Sequence, residues 1–210
     1  MFLIYLKIDF RVVSATADED VCRNFFGKDN VNFYECKKAK YKGKLYQYPY
    51  RTMSRYSIDN APGIVPHLTK HFGIKSEYVI THKGYGKGPQ WFGNTEGINF
   101  MKGKDILVIG TPYHAEFLYK LIAHTMGISF DEDAEMKEKM HTHNGYMFWI
   151  NTYEDVALKS IHFWMMESDL EQAVGRARLL WHDCTVHVCS RFPLSQMQLA
   201  ELNFGKEDFE

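Results

Sequence analysis

The chain has 210 residues, of which 45% are apolar and 24% charged, and its net charge is −1. That size and composition suit one globular domain with a real core, or one domain and a trailing piece of another. A near-neutral chain excludes a global electrostatic attraction to polyanions or acidic membranes, so such contacts must come from a local patch.

Met1 to Leu6 are apolar, but Lys7 and Asp9 end the run. It falls far short of the ~20 apolar residues a membrane-spanning helix needs, and no membrane partner is expected. Cys22, Cys36, Cys184 and Cys189 follow no signal peptide and lack the spacing of a disulfide framework. They predict free thiols and a cytoplasmic protein.

Residues 7–14, with Ile8, Phe10, Val12 and Val13, predict a strand. Thr16-Ala17-Asp18 opens a short helix to about Phe26, closed by Gly27. Residues 31–36 and 44–50 predict two more strands. Asn60 and Pro62 start a helix carrying Ile64, Val65, Leu68 and Phe72, which Gly73 stops; Pro66 argues for a later start. Residues 78–81 form a short apolar strand, and glycine-rich 84–97 a loop. Ile106 to Ile109 is unbroken apolar sequence, the pattern of a strand buried on both faces of a parallel sheet.

Glu116 to Met126 predicts a helix with a Glu116–Lys120 pair and Gly127 at its end. Asn144-Gly145 suits a tight hairpin turn, since both residues tolerate positive φ. Residues 154–166 predict an amphipathic helix, and Ser168-x-x-Glu171 a capping box that starts a second one. Phe130-Asp131-Glu132-Asp133 reads as an acidic helix start. Residues 185–189 form the last apolar strand, and 206–210 a frayed tail. The alternation predicts an α/β fold, a mainly parallel sheet flanked by helices, with the β-hairpin as an insertion or antiparallel edge.

The most informative segment is Glu171-Gln172-Ala173-Val174-Gly175-Arg176-Ala177-Arg178, on a helix that precedes a buried strand. It resembles motif VI of superfamily 2 helicases. Three further segments resemble that family in its own order. Ser14-Ala15-Thr16 is similar to motif III, Tyr78-Val79-Ile80-Thr81-His82-Lys83 stands in the place of motif IV, and Gly93-Asn94-Thr95-Glu96-Gly97-Ile98-Asn99 is similar to motif V. Each also has a plain structural reading, as a helix cap, a strand or a glycine-rich loop.

The resemblance implies a RecA-like domain over residues 21–203, preceded by a remnant strand and linker at 1–20 and followed by a tail at 204–210. It implies that ATP with Mg²⁺ is bound only together with a missing N-terminal half. In that site Arg176 contacts phosphate and Arg178 acts as an arginine finger. A guanidinium stays charged and forks onto phosphate oxygens, and such fingers raise rates by roughly 10³–10⁵ in related systems. Gln172 adds a polar contact, and Gly175 lets the partner domain approach. Gly97 and Asn99 touch ribose or backbone. The family's second arginine falls seven residues after the glutamine, where this chain has Leu179. Ser14, Thr16, His82, Lys83 and Thr111 would face nucleic acid, single- or double-stranded, with DNA favoured.

No Gly-x-x-x-x-Gly-Lys-Ser/Thr loop is present; Gly86-Lys87-Gly88 lacks its spacing and hydroxyl. No convincing Asp-Glu box follows an apolar strand. The chain alone is therefore expected not to hydrolyse ATP. Residues 37–55 hold Lys37, Lys38, Lys40, Lys42, Lys44, Arg51 and Arg55, interleaved with Tyr41, Tyr46, Tyr48 and Tyr50 and without an acidic residue. Lys40, Lys42 and Lys44 would neutralise phosphates while tyrosines stack on bases; the same stretch also suits a solvated edge strand.

Three other readings stay open. His182-x-Cys184-x-x-His187-x-Cys189 offers metal ligands, but on a strand they face opposite ways, so no metal site is expected. His141-x-His143 is an equally thin candidate. Gly110-Thr111-Pro112-Tyr113-His114 follows a buried strand where α/β enzymes carry functional loops, with His114 as a base. A nucleic-acid-binding module without catalysis, derived from a helicase domain, is the third.

Overall fold

A computed structural model describes residues 11, 19–36, 39–49 and 51–202. The strand expected at 7–14, Ser14, Thr16, Lys37, Lys38, Tyr50 and the tail at 206–210 lie outside the described residues. The sheet contains β1 (Lys44–Gln47), β2 (Val79–Ile80), β3 (Ile106–Ile109), β6 (Thr185–Cys189) and β7 (Gln198–Leu199). Their spatial order is β2-β3-β6-β1-β7, and every pairing is parallel. A separate antiparallel hairpin joins β4 (Met136–His143) to β5 (Tyr146–Tyr153). The helices are α1 (Glu19–Phe26), α2 (Arg55–Asp59), α3 (Ile64–His71), α4 (Glu116–Thr125) and α5 (Val156–Gly175).

Central strands of a parallel sheet are covered on both faces and so must be apolar throughout. β3 obeys this strictly, with all four residues at 0% exposure. Alternate side chains feed two cores. Ile106, Val108, Val186 and Val188 pack with Met166, Leu170, Ala173 and Val174 of α5. Leu107, Ile109 and Cys189 pack with Ile58 of α2 and Ile64, Val65 and Leu68 of α3 on the other face. Each such side chain contributes ~1.5–3 kcal/mol by leaving water. A smaller cluster of Tyr119, Ala123, Tyr153, Leu158 and Ile161 holds α4 and the hairpin to the first half of α5. Among the described residues no helix is long and apolar enough to cross a membrane.

The expected strand at 44–50 stops at Gln47, and the one at 31–36 is absent: those residues are irregular and mostly exposed, Tyr34 at 85%. β1 is bonded by β6 on one side and β7 on the other, so it offers residues 31–36 no free edge and is not itself the solvated edge strand considered above. The expected break at Ser168 does not occur. α5 is one helix, capped by Asp155, whose carboxylate accepts from the Leu158 N–H at 2.9 Å. Ser168 sits inside it because Met166, Leu170, Ala173 and Val174 continue a single apolar face across that point.

The acidic 131–133 stretch is a turn and not a helix start. Asp131 Oδ1 accepts from the Asp133 N–H at 3.0 Å, a local bond that competes with helix. α2 was not expected; at five residues it leaves little periodicity to read, although Ser54 Oγ caps it through the Ser57 N–H. Pro66 is third in α3, within the first turn where its missing N–H is not needed. Asn144 and Gly145 adopt φ of 49° and 81°, as the hairpin turn requires. Lys120 donates to the Glu132 carbonyl at 2.6 Å, a bond the expected Glu116–Lys120 pair did not anticipate.

Candidate functional site

The chain leaves β1 toward the face of α2 and α3, and leaves β3 toward the opposite face of α4 and α5. Connections that part to opposite faces open a crevice at the carboxyl ends of the strands, where open parallel sheets bind ligands. Here a cleft of about 690 Å³ opens between the loops after β1, β2 and β3 and the hairpin. Thr52 and Ser54 come from the first loop and Arg55 from the start of α2, His82 from the second loop, Thr111, Tyr113 and His114 from the third, and Glu138 and Asn151 from the hairpin.

One carbonyl ties the three loops together. Met53 O accepts from His82 Nε2 at 3.0 Å and from the Thr111 N–H at 2.8 Å. Burial pulls the His82 pKa down, so the ring stays neutral and its Nε2–H is committed to Met53. His82 thus lines the cleft with its Nε2–H already given to the Met53 carbonyl. Thr111 is buried, its hydroxyl 3.0 Å from that of Ser190. His114 Nε2 lies 3.0 Å from Asp169 Oδ2 of α5, and its backbone N–H donates to the Tyr119 hydroxyl at 2.8 Å.

Behind this pair His162 is fully buried. Its Nδ1 is 2.8 Å from the Thr152 hydroxyl, and its Nε2 has no hydrogen-bond partner among the described residues. Burial, with His114 nearby, holds its pKa down at about 3. Gln47, at the end of β1, is also fully buried. Its amide donates to the Ser190 and Phe192 carbonyls, and its oxygen accepts from the Leu194 N–H at 3.0 Å, which fixes the loop after β6.

The opposite, N-terminal edge of the sheet holds the arginine turn that ends α5. The Gly103 N–H donates to Ala177 O at 2.9 Å, and the N–H groups of Lys42 and Gly43 donate to Leu179 O at 2.9 and 3.0 Å. Burial and neighbouring Arg178 pull the Arg176 pKa down, and Glu96 opposes them. Arg176 Nε donates to Gln172 O at 3.1 Å within its own helix. Arg178 is exposed at φ 59°, a left-handed conformation that costs a non-glycine residue energy. Leu179 is 2% exposed and turned into the core against Gly43, where an added Cβ would come within 2.6 Å of Leu179 Cδ2. Leu179, where the helicase resemblance would put a second arginine, is thus held inside the core, and Arg178 is the outward-facing residue. Gly97 and Gly175 are exposed, with nothing within 4 Å of an added Cβ.

The expected site residues therefore divide. Arg176, Arg178, Gln172 and Gly175 share the N-terminal edge with the 96–103 loop, on which Gly97 and exposed Asn99 stand, and with exposed Lys42 and Lys44, which Lys40 precedes. His82 and Thr111 line the cleft at the other edge. Lys83, next to His82, places its Nζ 5.4 Å above the Trp91 ring. Tyr41, Tyr46 and Tyr48 are not free to stack on bases. Tyr41 packs on the core, Tyr46 stacks on His187 at 5.9 Å, and Tyr48 is buried and bonded to His187 Nδ1 at 2.9 Å.

Cys184 belongs to the α5 face, while Cys189 belongs to the α3 face, as does His187, whose ring stacks on Phe72 at 4.4 Å. Among the described residues no three His, Cys, Asp or Glu converge on a point. Sequence reasoning named His114 but missed Asp169, Gln47 and Tyr56. An acidic residue between Met166 and Leu170 on the apolar flank of a helix was the available signal for Asp169.

No protein-family model, curated protein or solved structure matches the chain. Fold and site together define an α/β protein whose parallel sheet has an open cleft at one edge and, at the other, half-buried Arg176 beside exposed Arg178.

Proposed function

We propose that the chain is the second RecA-like domain of a superfamily 2 helicase or translocase, supplying Arg176 and Arg178 to an ATP site shared with another RecA-like domain. The observation that carries this reading is the meeting of two remote segments at one sheet edge. The loop after Gly93 is bonded through Gly103 to the turn after Gly175, and Glu96 acts on Arg176. These are the segments that resemble motifs V and VI. Chemically, the turn presents two guanidiniums whose charges repel one another, beside an open glycine. An arriving phosphate relieves that repulsion and takes forked hydrogen bonds.

In this reading Arg176 binds the γ-phosphate and Arg178 steadies the charge that develops on it. Gly97 and Asn99 approach ribose or backbone, and exposed Lys40, Lys42 and Lys44 add positive charge toward nucleic acid, DNA favoured. The donor set of this edge is cationic and amide, which fits phosphate oxygens. Mg²⁺ prefers carboxylates and water, so its ligands belong to the other domain.

The test is steady-state ATP turnover, with and without single-stranded DNA, of this chain and of a polypeptide extended upstream in frame. The chain alone is silent; the extended form turns over ATP in a DNA-dependent way that Arg176→Ala abolishes. Turnover by the chain alone overturns the reading. A chain that binds DNA equally well with both arginines replaced, and whose extension never stimulates turnover, is instead a non-catalytic binding module.

A further inference from the structure

We infer that the cleft at the C-terminal edge of the sheet receives one unstacked base of a single-stranded nucleic acid, an inference that rests on the nucleic-acid reading above. At about 690 Å³ the cleft falls within the ~300–1,000 Å³ range of sites for small ligands. Its charge argues against a polyphosphate. Glu138 in its lining is met by Arg191 at 3.5 Å, which leaves Arg55 as a single cation facing the cleft. His114 is matched by Asp169, so the pair adds no net positive charge in either protonation state. Polyphosphates draw several uncompensated cations.

What the cleft does offer is aromatic surface with amphoteric polar groups. Tyr56 on α2 is 79% exposed and lines the opening, and Tyr113 lines it from the β3 loop. Asn151 both donates and accepts, the Thr52 hydroxyl does the same, and Glu138 accepts. A nucleobase is the matching solute: a flat uncharged π-face with donors and acceptors around its rim. Of the large hydrophobic side chains exposed among the described residues, Tyr56 is the one that lines this cleft, which puts an open ring face where a ligand would lie.

The experiment is fluorescence anisotropy of a labelled eight-nucleotide oligo-dT and of an abasic strand of equal length and charge. The intact strand binds about tenfold more tightly, in line with base–aromatic stacking. Tyr56→Ala abolishes that difference without changing affinity for the abasic strand, and Tyr56→Phe keeps it. Because Tyr56 is exposed, its truncation leaves the fold intact. Equal binding of intact and abasic strands, or indifference to Tyr56→Ala, overturns the base cleft while the nucleic-acid reading stands. Failure of both strands to bind overturns both.

Discussion

At the C-terminal edge of the sheet the polar candidates turn inward. His82, Thr111 and Gln47 are almost fully buried, and each spends its hydrogen bonds on a neighbouring loop. At the N-terminal edge they turn outward. Arg178 is exposed in a left-handed conformation, and Gly175 has open space where a side chain would stand. The first edge spends most of its polar groups within this chain, His162 Nε2 apart, and forms a cleft. The second has an open glycine and a left-handed Arg178 that closes the turn, its carbonyl accepting from the Trp181 and His182 N–H groups. The outward edge leaves open space beside its arginines, whereas the inward edge uses its polar side chains to hold loops around a cleft.

Four experiments break or sharpen that contrast. The largest effect belongs to the outward edge: Arg176→Ala in the upstream-extended polypeptide lowers DNA-dependent ATP turnover by roughly 10³-fold or more, measured as kcat, with little change in thermal stability. An unchanged kcat would falsify the role given to that edge. At the inward edge, Gln47→Leu strands the Ser190 and Phe192 carbonyls and the Leu194 N–H in the interior. At ~1–3 kcal/mol for each unsatisfied group, urea unfolding should show a loss of at least ~3 kcal/mol.

His162 makes the inward edge sensitive to acid. Its folded pKa of about 3 lies below the ordinary 6.5, so the unfolded chain takes up the proton first as pH falls. Stability is therefore full above pH 6.5 and is lost from there toward 3, at about 1.4 kcal/mol per pH unit. His82 and His187 are shifted in the same direction by burial. Thermal unfolding at pH 7 and pH 5 reads the slope, and His162→Gln should flatten it; a Tm that does not move between the two removes this account. The smallest effect is opposite in sign. Gly175→Ala puts a helix-favouring methyl into open space and should stabilise the isolated chain by about 1 kcal/mol, a rise of a few degrees in Tm. If a second domain docks at this edge as proposed, the same change should weaken ATP turnover by the upstream-extended polypeptide.

Much of the scaffold was legible in the amino-acid order, for physical reasons that differ from place to place. Ile106 to Ile109 reads as a central strand because nothing polar interrupts it. The hairpin reads from Asn144-Gly145, two residues that accept positive φ. Residues 31–36 misled because strand propensity says nothing about whether a neighbour has an open edge, and Ser168-x-x-Glu171 misled because capping residues also sit comfortably mid-helix. Of the site, Arg176 and His114 stood out by type and position. Their context did not: Asp169 meets His114 across 55 residues, and Gln47 meets Ser190 across 143. Such pairings exist only once the sheet has ordered its strands, so no local pattern announces them.

The continuity of α5 gives the molecule a mechanical property. Asp169, which grips His114 beside the cleft, and Arg176, which ends the helix at the far edge, stand two turns apart on one uninterrupted rod, ~10 Å along its axis. A hydrogen-bonded helix with a packed face moves as a unit. The partner of His114 and the first of the two arginines are thus carried on one packed element, so their spacing along its axis is fixed by helix geometry.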